Sequence, residues 1–185
     1  MRLVPITVPS IYKGKDGKLA PLPARMAKLT PDAAASLALV RSEIEARGGC
    51  FRLSDAYRSS ADQAKAHEDF TSGRKKAYSP PAGGSLHEAG RAIDLDLAAL
   101  IHPPSVPRGH KVISETDVRA VFIRHGWTFI SSAGDPHQVD VKESWHIEFR
   151  GEFQQVYDRE LARTKSSTAA YKAMARAAIA AVAGA

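Results

Sequence analysis

Two short stretches of alternating sequence carry side chains that can bind a metal ion. Residues 92–97 alternate between apolar side chains and a second set that includes Asp94 and Asp96. Residues 144–149 alternate in the same way, and their second set includes His146 and Glu148. Successive side chains of a strand point to opposite faces, so each stretch predicts a strand with one apolar face. If the two strands are neighbours, four potential ligands converge on one surface.

One more potential ligand, His87, precedes the first of these strands by a few residues. Gly90 lies between them and permits a tight bend, so we expect His87 to fold back over the same face. Two imidazoles and one carboxylate suit a catalytic zinc site, which uses three protein ligands and keeps one position open. Calcium prefers more oxygen ligands, whereas manganese and cobalt accept the same set as zinc. The alternation leaves open whether Asp94 or Asp96 is the carboxylate.

The motifs around these residues resemble those of the D-alanyl-D-alanine metallopeptidases, the family of VanX-like and VanY-like enzymes and related phage endolysin peptidases. Residues 85–94, SLHEAGRAID, look like the family motif SxHxxGxAxD, and residues 143–146, ESWH, are similar to ExWH. Residues 54–59, SDAYRS, with Gln63 following, resemble the segment that carries the family's substrate arginine. The resemblance covers about residues 30–155. It implies a hedgehog/DD-peptidase-like α+β fold, a small antiparallel sheet with flanking helices.

The resemblance also implies a role for each residue that matches the motifs. His87, Asp94 and His146 would hold one zinc ion, which selects Asp94 over Asp96. Glu143, rather than Glu148, would be the general base, and Glu148 is expected to orient a ligand histidine. The predicted substrate contacts are Arg58, which would bind a carbonyl oxygen or carboxylate, and Ser85, Asp55, Tyr57 and Gln63.

By resemblance, the substrate is a peptidoglycan stem peptide, but the bond that is cut stays open. A carboxypeptidase that trims terminal D-Ala is favoured by the glutamate in ExWH. An endolysin-like endopeptidase, cutting between L-Ala and D-Glu, is favoured by the basic tail and by the apparent lack of a signal peptide at the N-terminus. The alternative from another class is a non-catalytic, zinc-containing module that binds the cell wall. Glu143 and Arg58 argue against this module, because a pure binder needs no base.

Composition and charge place the chain among ordinary globular proteins with basic ends. The sequence has 185 residues, 44% hydrophobic and 25% charged, with one cysteine, Cys50, and a net charge of +6. Residues 1–29 carry six Lys or Arg against one acid, and residues 159–185 carry five against one. Because the middle of the chain is acidic, a nucleic-acid partner is not expected. We expect a protein that is made in the cytoplasm and acts on the cell wall after release or export.

The pattern of caps, prolines and apolar periodicity divides the chain into three parts. Residues 1–29 predict a basic extended arm, residues 30–160 the zinc peptidase domain, and residues 161–185 a basic, alanine-rich helix. A basic amphipathic helix can bind an anionic membrane surface, so two alternatives stay open for this tail: contact with such a surface, or packing on the domain or in an oligomer. Within the domain, helices are predicted over residues 33–46, 60–72 and 114–126, and residues 98–113 read as a loop. Trp127 and Trp145 are both expected in the core.

Overall fold

The computed structural model describes residues 1–107, 110–129 and 143–184. The strands of this part of the chain are β1 (Val4–Pro5), β2 (Pro9–Lys13), β3 (Leu19–Pro21), β4 (Lys28–Leu29), β5 (Leu53–Asp55), β6 (Ala92–Leu95), β7 (Trp127–Phe129) and β8 (His146–Phe149). The helices are α1 (Pro31–Ala46), α2 (Ser60–Thr71), α3 (Leu97–Ile101), α4 (Glu115–Arg124), α5 (Gln154–Thr164) and α6 (Ser167–Ala183). A single 3-10 turn, Gly151–Phe153, leads into α5.

A six-stranded sheet in the order β3-β2-β5-β6-β8-β7 forms the centre of the fold. All neighbouring strands are antiparallel except β2 and β5, which pair in parallel through Ser10 and Leu53. The two strands predicted to be neighbours, β6 and β8, are hydrogen-bonded to each other, with Asp94 opposite His146. The expectation of an α+β fold with a small, mainly antiparallel sheet and flanking helices is confirmed.

The apolar face of the sheet packs against α1 and α4 to form the main core. Its strands contribute Ile93, Ile147, Trp127 and Phe129, all at most 1% exposed. Helix α1 begins with a proline at its first turn, follows Thr30, and buries Ala33, Leu37, Val40 and Ile44 on one face. Burying apolar side chains of this size stabilises the fold by roughly 1.5–3 kcal/mol each. This core holds β6 and β8 rigidly, so their other face is a fixed platform.

A smaller cluster on the opposite face brings α6 against the sheet. Its buried members are Leu86, Ala89, Ala92, Phe153, Met174 and Ala178. The small side chains of the alanine-rich helix allow a close approach to the turn that carries His87. Of the alternatives for this tail, packing on the domain is the one that the structure shows, since one face of α6 is buried in the same fold as the metal-binding residues. Lys172 and Arg176 lie on the exposed side of the helix.

The predicted extended arm also turns out to be part of the sheet. Residues 9–21 form the β2–β3 hairpin at one edge, and Ser10 is fully buried, with its hydroxyl donating to the carbonyl of Ala20 at 2.7 Å. Val8, Leu22 and Leu29 belong to the main core. These strands were not predicted from the sequence, because each is only two to five residues long and lies among prolines and lysines. A boundary at residue 30 therefore cuts through the fold.

The segment predicted as a loop over residues 98–113 contains helix α3. Asp96 follows β6 and caps this helix, with its carboxylate accepting from the backbone N–H of Ala99 at 3.1 Å. Asp96 therefore lies outside the set of converging ligands. None of the helices in the described ranges is long and apolar enough to cross a membrane.

Candidate metal centre

Three ligand atoms converge where β6, β8 and the turn before β6 meet. Gly90 has a φ of 62°, in the left-handed region, and a Cβ on it would lie 3.3 Å from the Cα of Leu29, so this turn favours glycine. The turn brings His87 over the platform formed by Asp94 and His146, as predicted. In the described part of the chain these three residues are the group able to hold a metal ion, with ligand atoms within 4.8 Å of one another.

The distances between the three ligand atoms fit a tetrahedral ion. His87 Nε2 lies 3.2 Å from His146 Nδ1 and 3.3 Å from Asp94 Oδ1, and the third edge, from His146 Nδ1 to Asp94 Oδ1, is 2.8 Å. A tetrahedral zinc ion with ligand bonds of about 2.0–2.1 Å separates its ligands by about 3.3 Å. The triangle is thus of the right size to hold one zinc ion, and its three residues line the cavity described below.

The other ring nitrogen of His87 fixes which nitrogen faces the ion. Its Nδ1 lies 2.5 Å from the carbonyl oxygen of Ala56, which can only accept a hydrogen bond. Nδ1 must therefore carry the proton, and Nε2 presents its lone pair to the other two ligands. His87 is 1% exposed, so this orientation is fixed by packing as well as by the hydrogen bond.

His146 is oriented by a chain of buried polar groups behind it. Its Nε2 lies 3.4 Å from Oε1 of Glu148, which leaves Nδ1 to face the ion. Glu148 is fully buried and also accepts from Arg150 Nε at 2.9 Å and from the Tyr171 hydroxyl at 2.6 Å. The predicted orienting role of Glu148 matches this geometry, since carboxylates that bind the outer nitrogen of a ligand histidine fix its tautomer and direction.

Asp94 divides its two carboxylate oxygens between the imidazoles and Arg58. Oδ1 faces both histidines, while Oδ2 accepts from Arg58 Nη2 at 3.2 Å. Arg58 is itself held by Asp55, at 2.5 Å from Nε, and by Gln63, at 3.1 Å from Nη1. The arginine therefore positions the ligand carboxylate and keeps it from turning its second oxygen towards the ion.

The charges of the site agree with a cation between the ligands. Burial disfavours a charged Asp94, but the neighbouring histidines outweigh it and keep the Asp94 pKa well below its usual value. Burial likewise opposes protonation of His146, yet its hydrogen bonds to Asp94 and Glu148 raise its pKa from 6.5 to about 10. Without a metal, a proton on His146 is thus the cation that the two carboxylates attract. A divalent ion would take the place of that proton.

The three ligands line a cavity of about 850 Å³ that also contains Glu143 and Arg58. Ser85, predicted to contact substrate, lines the same cavity, and its hydroxyl accepts from the backbone N–H of His87 at 3.3 Å. Glu143 is half-buried at the start of the segment that leads into β8. The structure thus brings the predicted ligands, base and arginine into one cavity.

Three other residues predicted to contact substrate, Asp55, Tyr57 and Gln63, do not line this cavity in the structure. The Asp55 carboxylate accepts hydrogen bonds from Arg58 and from the backbone N–H of Ala56, so both of its oxygens are used. Gln63 is fully buried and bonds Ser79 and Pro80 besides Arg58. The Tyr57 ring lies under Lys28, with 5.8 Å from Nζ to the ring centre. Asp55 and Gln63 thus hold the arginine in place, and their contact with a peptide stays a prediction.

Several residues of the cavity were not identified from the sequence. Trp145, expected in the core, is half-exposed and lines the cavity, whereas Trp127 is buried as predicted. Lys75, Lys76 and Tyr78 form one wall, and Tyr171 reaches in from α6. Neither the wall nor α6 lies within a motif, so only the three-dimensional packing identifies them. Glu88, inside the first motif, is buried and caps the loop by accepting from the backbone of Gly83 and Ser85.

Comparison with known proteins supports the fold at low sequence identity. The solved structure of LdcB, an LD-carboxypeptidase described for peptidoglycan recognition, is similar over 91% of this chain and 76% of its own, with 16% identity and a TM-score of 0.56. The D,D-dipeptidase VanXYg, solved with a D-Ala-D-Ala phosphinate analogue, is 19% identical over 78% of this chain and 58% of its own, with a TM-score of 0.48.

A third solved structure, the D,D-pentapeptidase VanY with Zn(II), is 12% identical over 86% of this chain and 87% of its own, with a TM-score of 0.44. No protein-family profile matches the sequence. No curated protein matches it at a significant level either. The described residues thus have the LdcB type of fold, and on that fold they build a cluster that can bind one metal ion.

Proposed function

We propose that this protein is a zinc-dependent peptidase that hydrolyses peptide bonds in peptidoglycan stem peptides. The observation that carries the proposal is the convergence of His87, Asp94 and His146 on a cavity that also holds Glu143 and Arg58. An ion held there would act as a Lewis acid and lower the pKa of a water molecule towards about 7. The fold shared with LdcB, an LD-carboxypeptidase, supports the same substrate class.

The chain's own groups can carry out the proton transfers of the reaction. Glu143 can accept the proton of the attacking water on a carboxylate oxygen and deliver it to the leaving amine. Its place in the cavity, on the segment that continues into His146, puts it on the same side as the ligands. Trp145, between them in sequence, lines the same cavity.

Arg58 can bind the substrate without releasing Asp94. A guanidinium has five N–H donors, and the described residues Asp55, Gln63 and Asp94 use three of them. The remaining two donors can bind the carbonyl oxygen under attack or a terminal carboxylate of the peptide. Stabilising negative charge as it develops is often the largest contribution to catalysis. Ser85 adds a hydroxyl on the cavity wall.

We also propose that the protein acts on the cell wall and that α6 can contact an anionic membrane surface. Stem peptides belong to the cell wall, so we place its action there. Contact with an anionic membrane surface would have to use the outward side of α6, with Lys172 and Arg176, since the opposite side packs on the domain. Such contact would be mainly electrostatic and therefore weak at physiological salt.

The experiment that tests the function is digestion of purified peptidoglycan and free stem peptides, with products identified by mass spectrometry. Zinc-loaded protein, chelator-treated protein, Glu143→Gln and the matched surface control Glu115→Gln are compared. We expect chelator-sensitive cleavage that Glu143→Gln loses by about 10²–10⁴-fold and that Glu115→Gln retains. Loss of one terminal residue identifies a carboxypeptidase, and release of peptides cut within the stem identifies an endopeptidase.

The second candidate function is a module that binds the cell wall without cutting it. Binding of zinc-loaded protein to peptidoglycan with no cleavage product would refute the peptidase and support this module. The presence of Glu143 and Arg58 in the cavity favours the peptidase, because binding alone needs no proton acceptor.

A further inference from the structure

We propose that the C-terminal helix α6 supplies a positioning residue, Tyr171, which holds Glu148 and through it the ligand His146. The inference rests on the proposed metal site and assigns part of it to a segment that carries no motif. Tyr171 donates its hydroxyl to Glu148 Oε1 at 2.6 Å, and the same oxygen lies 3.4 Å from His146 Nε2. One buried oxygen therefore joins the helix to the ligand ring.

Glu148 needs this partner because it is a fully buried carboxylate. Its Oε2 is bound by Arg150, and its Oε1 is shared between His146 and Tyr171. Removing one donor from a buried carboxylate leaves a lone pair unsatisfied, and the carboxylate can then rotate to compensate. A rotated Glu148 would no longer hold the His146 ring in the direction that turns Nδ1 towards the ion.

The packing of α6 shows that Tyr171 is held where this contact requires it. Ala170, Met174 and Ala178 are fully buried against the fold. Met174 and Ala178 belong to the same cluster as Leu86 and Ala89, which flank His87 in the turn before β6. The helix thus supports two ligands at once: the His87 turn through apolar contacts, and His146 through the Tyr171 hydroxyl.

The first test measures the zinc dissociation constant by competition with a chelator, which requires no catalytic activity. Tyr171→Phe keeps the ring and removes only the hydroxyl. We expect it to weaken zinc binding by about tenfold, at the lower end of the effect of groups that orient metal ligands. The matched control is Tyr157→Phe on α5, whose ring packs on Arg150. It should bind zinc as the unmodified protein does.

A double-mutant cycle separates positioning through Glu148 from a general loss of packing. In a Glu148→Leu background, Tyr171→Phe should change zinc affinity by less than about twofold, because the hydroxyl has lost the group it acts on. A full tenfold effect in that background would overturn the proposal. So would equal zinc affinity for Tyr171→Phe, Tyr157→Phe and the unmodified protein.

If Glu148→Leu does not fold, as judged by circular dichroism, the absorption spectrum of the cobalt-substituted protein replaces the cycle. Cobalt accepts the same ligands as zinc, and its visible bands report ligand geometry. Tyr171→Phe should shift these bands, and Tyr157→Phe should not. Identical spectra for the two variants would refute the proposal. Since neither readout depends on peptide cleavage, the proposal can fail or succeed independently of the peptidase function.

Discussion

Arg58 and Asp94 are joined by a hydrogen bond of 3.2 Å from Nη2 to Oδ2, on the side of the carboxylate away from the two histidines. The residue implied to bind the substrate therefore also holds a metal ligand. If Arg58 binds the substrate as proposed, we expect substrate binding and metal affinity to be coupled through this guanidinium. The first prediction follows from this double use.

Arg58→Lys should reduce both activity and metal affinity. A lysine has one charged group in place of the planar fork, so it cannot bond Asp55, Gln63 and Asp94 together. We expect a loss of kcat/KM of about 10²-fold and a rise in the zinc dissociation constant of about tenfold. Steady-state kinetics and chelator competition measure the two effects. Unchanged zinc affinity would show that Asp94 keeps its position without the arginine.

Binding of zinc should release a proton from His146. Its pKa of about 10 in the metal-free protein means that the ring is protonated at neutral pH, and a ligand imidazole must be neutral. Zinc affinity should therefore rise by about tenfold for each pH unit between about 7 and 9. Calorimetric titrations in buffers of different ionisation enthalpy measure the released proton. A binding enthalpy that is the same in all buffers would contradict this assignment.

The raised pKa of His146 should also make the stability of the metal-free protein depend on pH. A histidine whose pKa is raised on folding stabilises the protein fully below its unfolded value, near 6.5. This stabilisation is lost as the pH rises from about 6.5 to about 10. The melting temperature of chelator-treated protein should therefore fall over this range, and His146→Gln should lose most of that dependence. An unchanged slope in His146→Gln would assign the dependence to another group.

Zinc should stabilise the folded chain against heat. An ion that binds only the native state contributes about 2.7 kcal/mol at a free concentration of 100 times its dissociation constant. Thermal unfolding with zinc and with chelator measures the difference. The variant His87→Ala should show little response to zinc, whereas the surface variant His102→Ala, whose ring bonds the carbonyl of His110, should respond fully. Equal stabilisation of both variants would place the zinc elsewhere.

The lysine wall should favour substrates that carry a negative charge beyond the bond that is cut. Lys75 and Lys76 line the cavity and form no ion pair within 4.0 Å among the described residues. The double variant Lys75→Gln/Lys76→Gln should raise KM for an acidic peptide about 3- to 10-fold, with little change in kcat. The double variant should have little effect on KM for the corresponding peptide amide. Lys65→Gln, on α2 and outside the cavity, is the control. An equal effect of the double variant on the acidic peptide and on its amide would refute the preference.

The metal-binding set of His87, Asp94 and His146 was identifiable from the sequence because it depends on local patterns. Alternation in two short segments placed Asp94 and His146 on polar faces, and Gly90 allowed His87 to fold back over them. The motifs then selected Asp94 over Asp96, and the structure agrees, since Asp96 caps α3 instead. These features survive in the fold because strand alternation and a glycine turn need no distant partner.

The partners that hold these residues in place were decided by the tertiary structure. Asp55 and Gln63, predicted at the substrate, bond Arg58 from three and five positions away, whereas Arg58 reaches Asp94, 36 positions along the chain, only because β5 pairs with β6. Tyr171 lies 23 positions from Glu148 in the sequence and bonds it at 2.6 Å. No local pattern indicates such a contact, because it arises only when the apolar face of α6 finds the face of the sheet it covers.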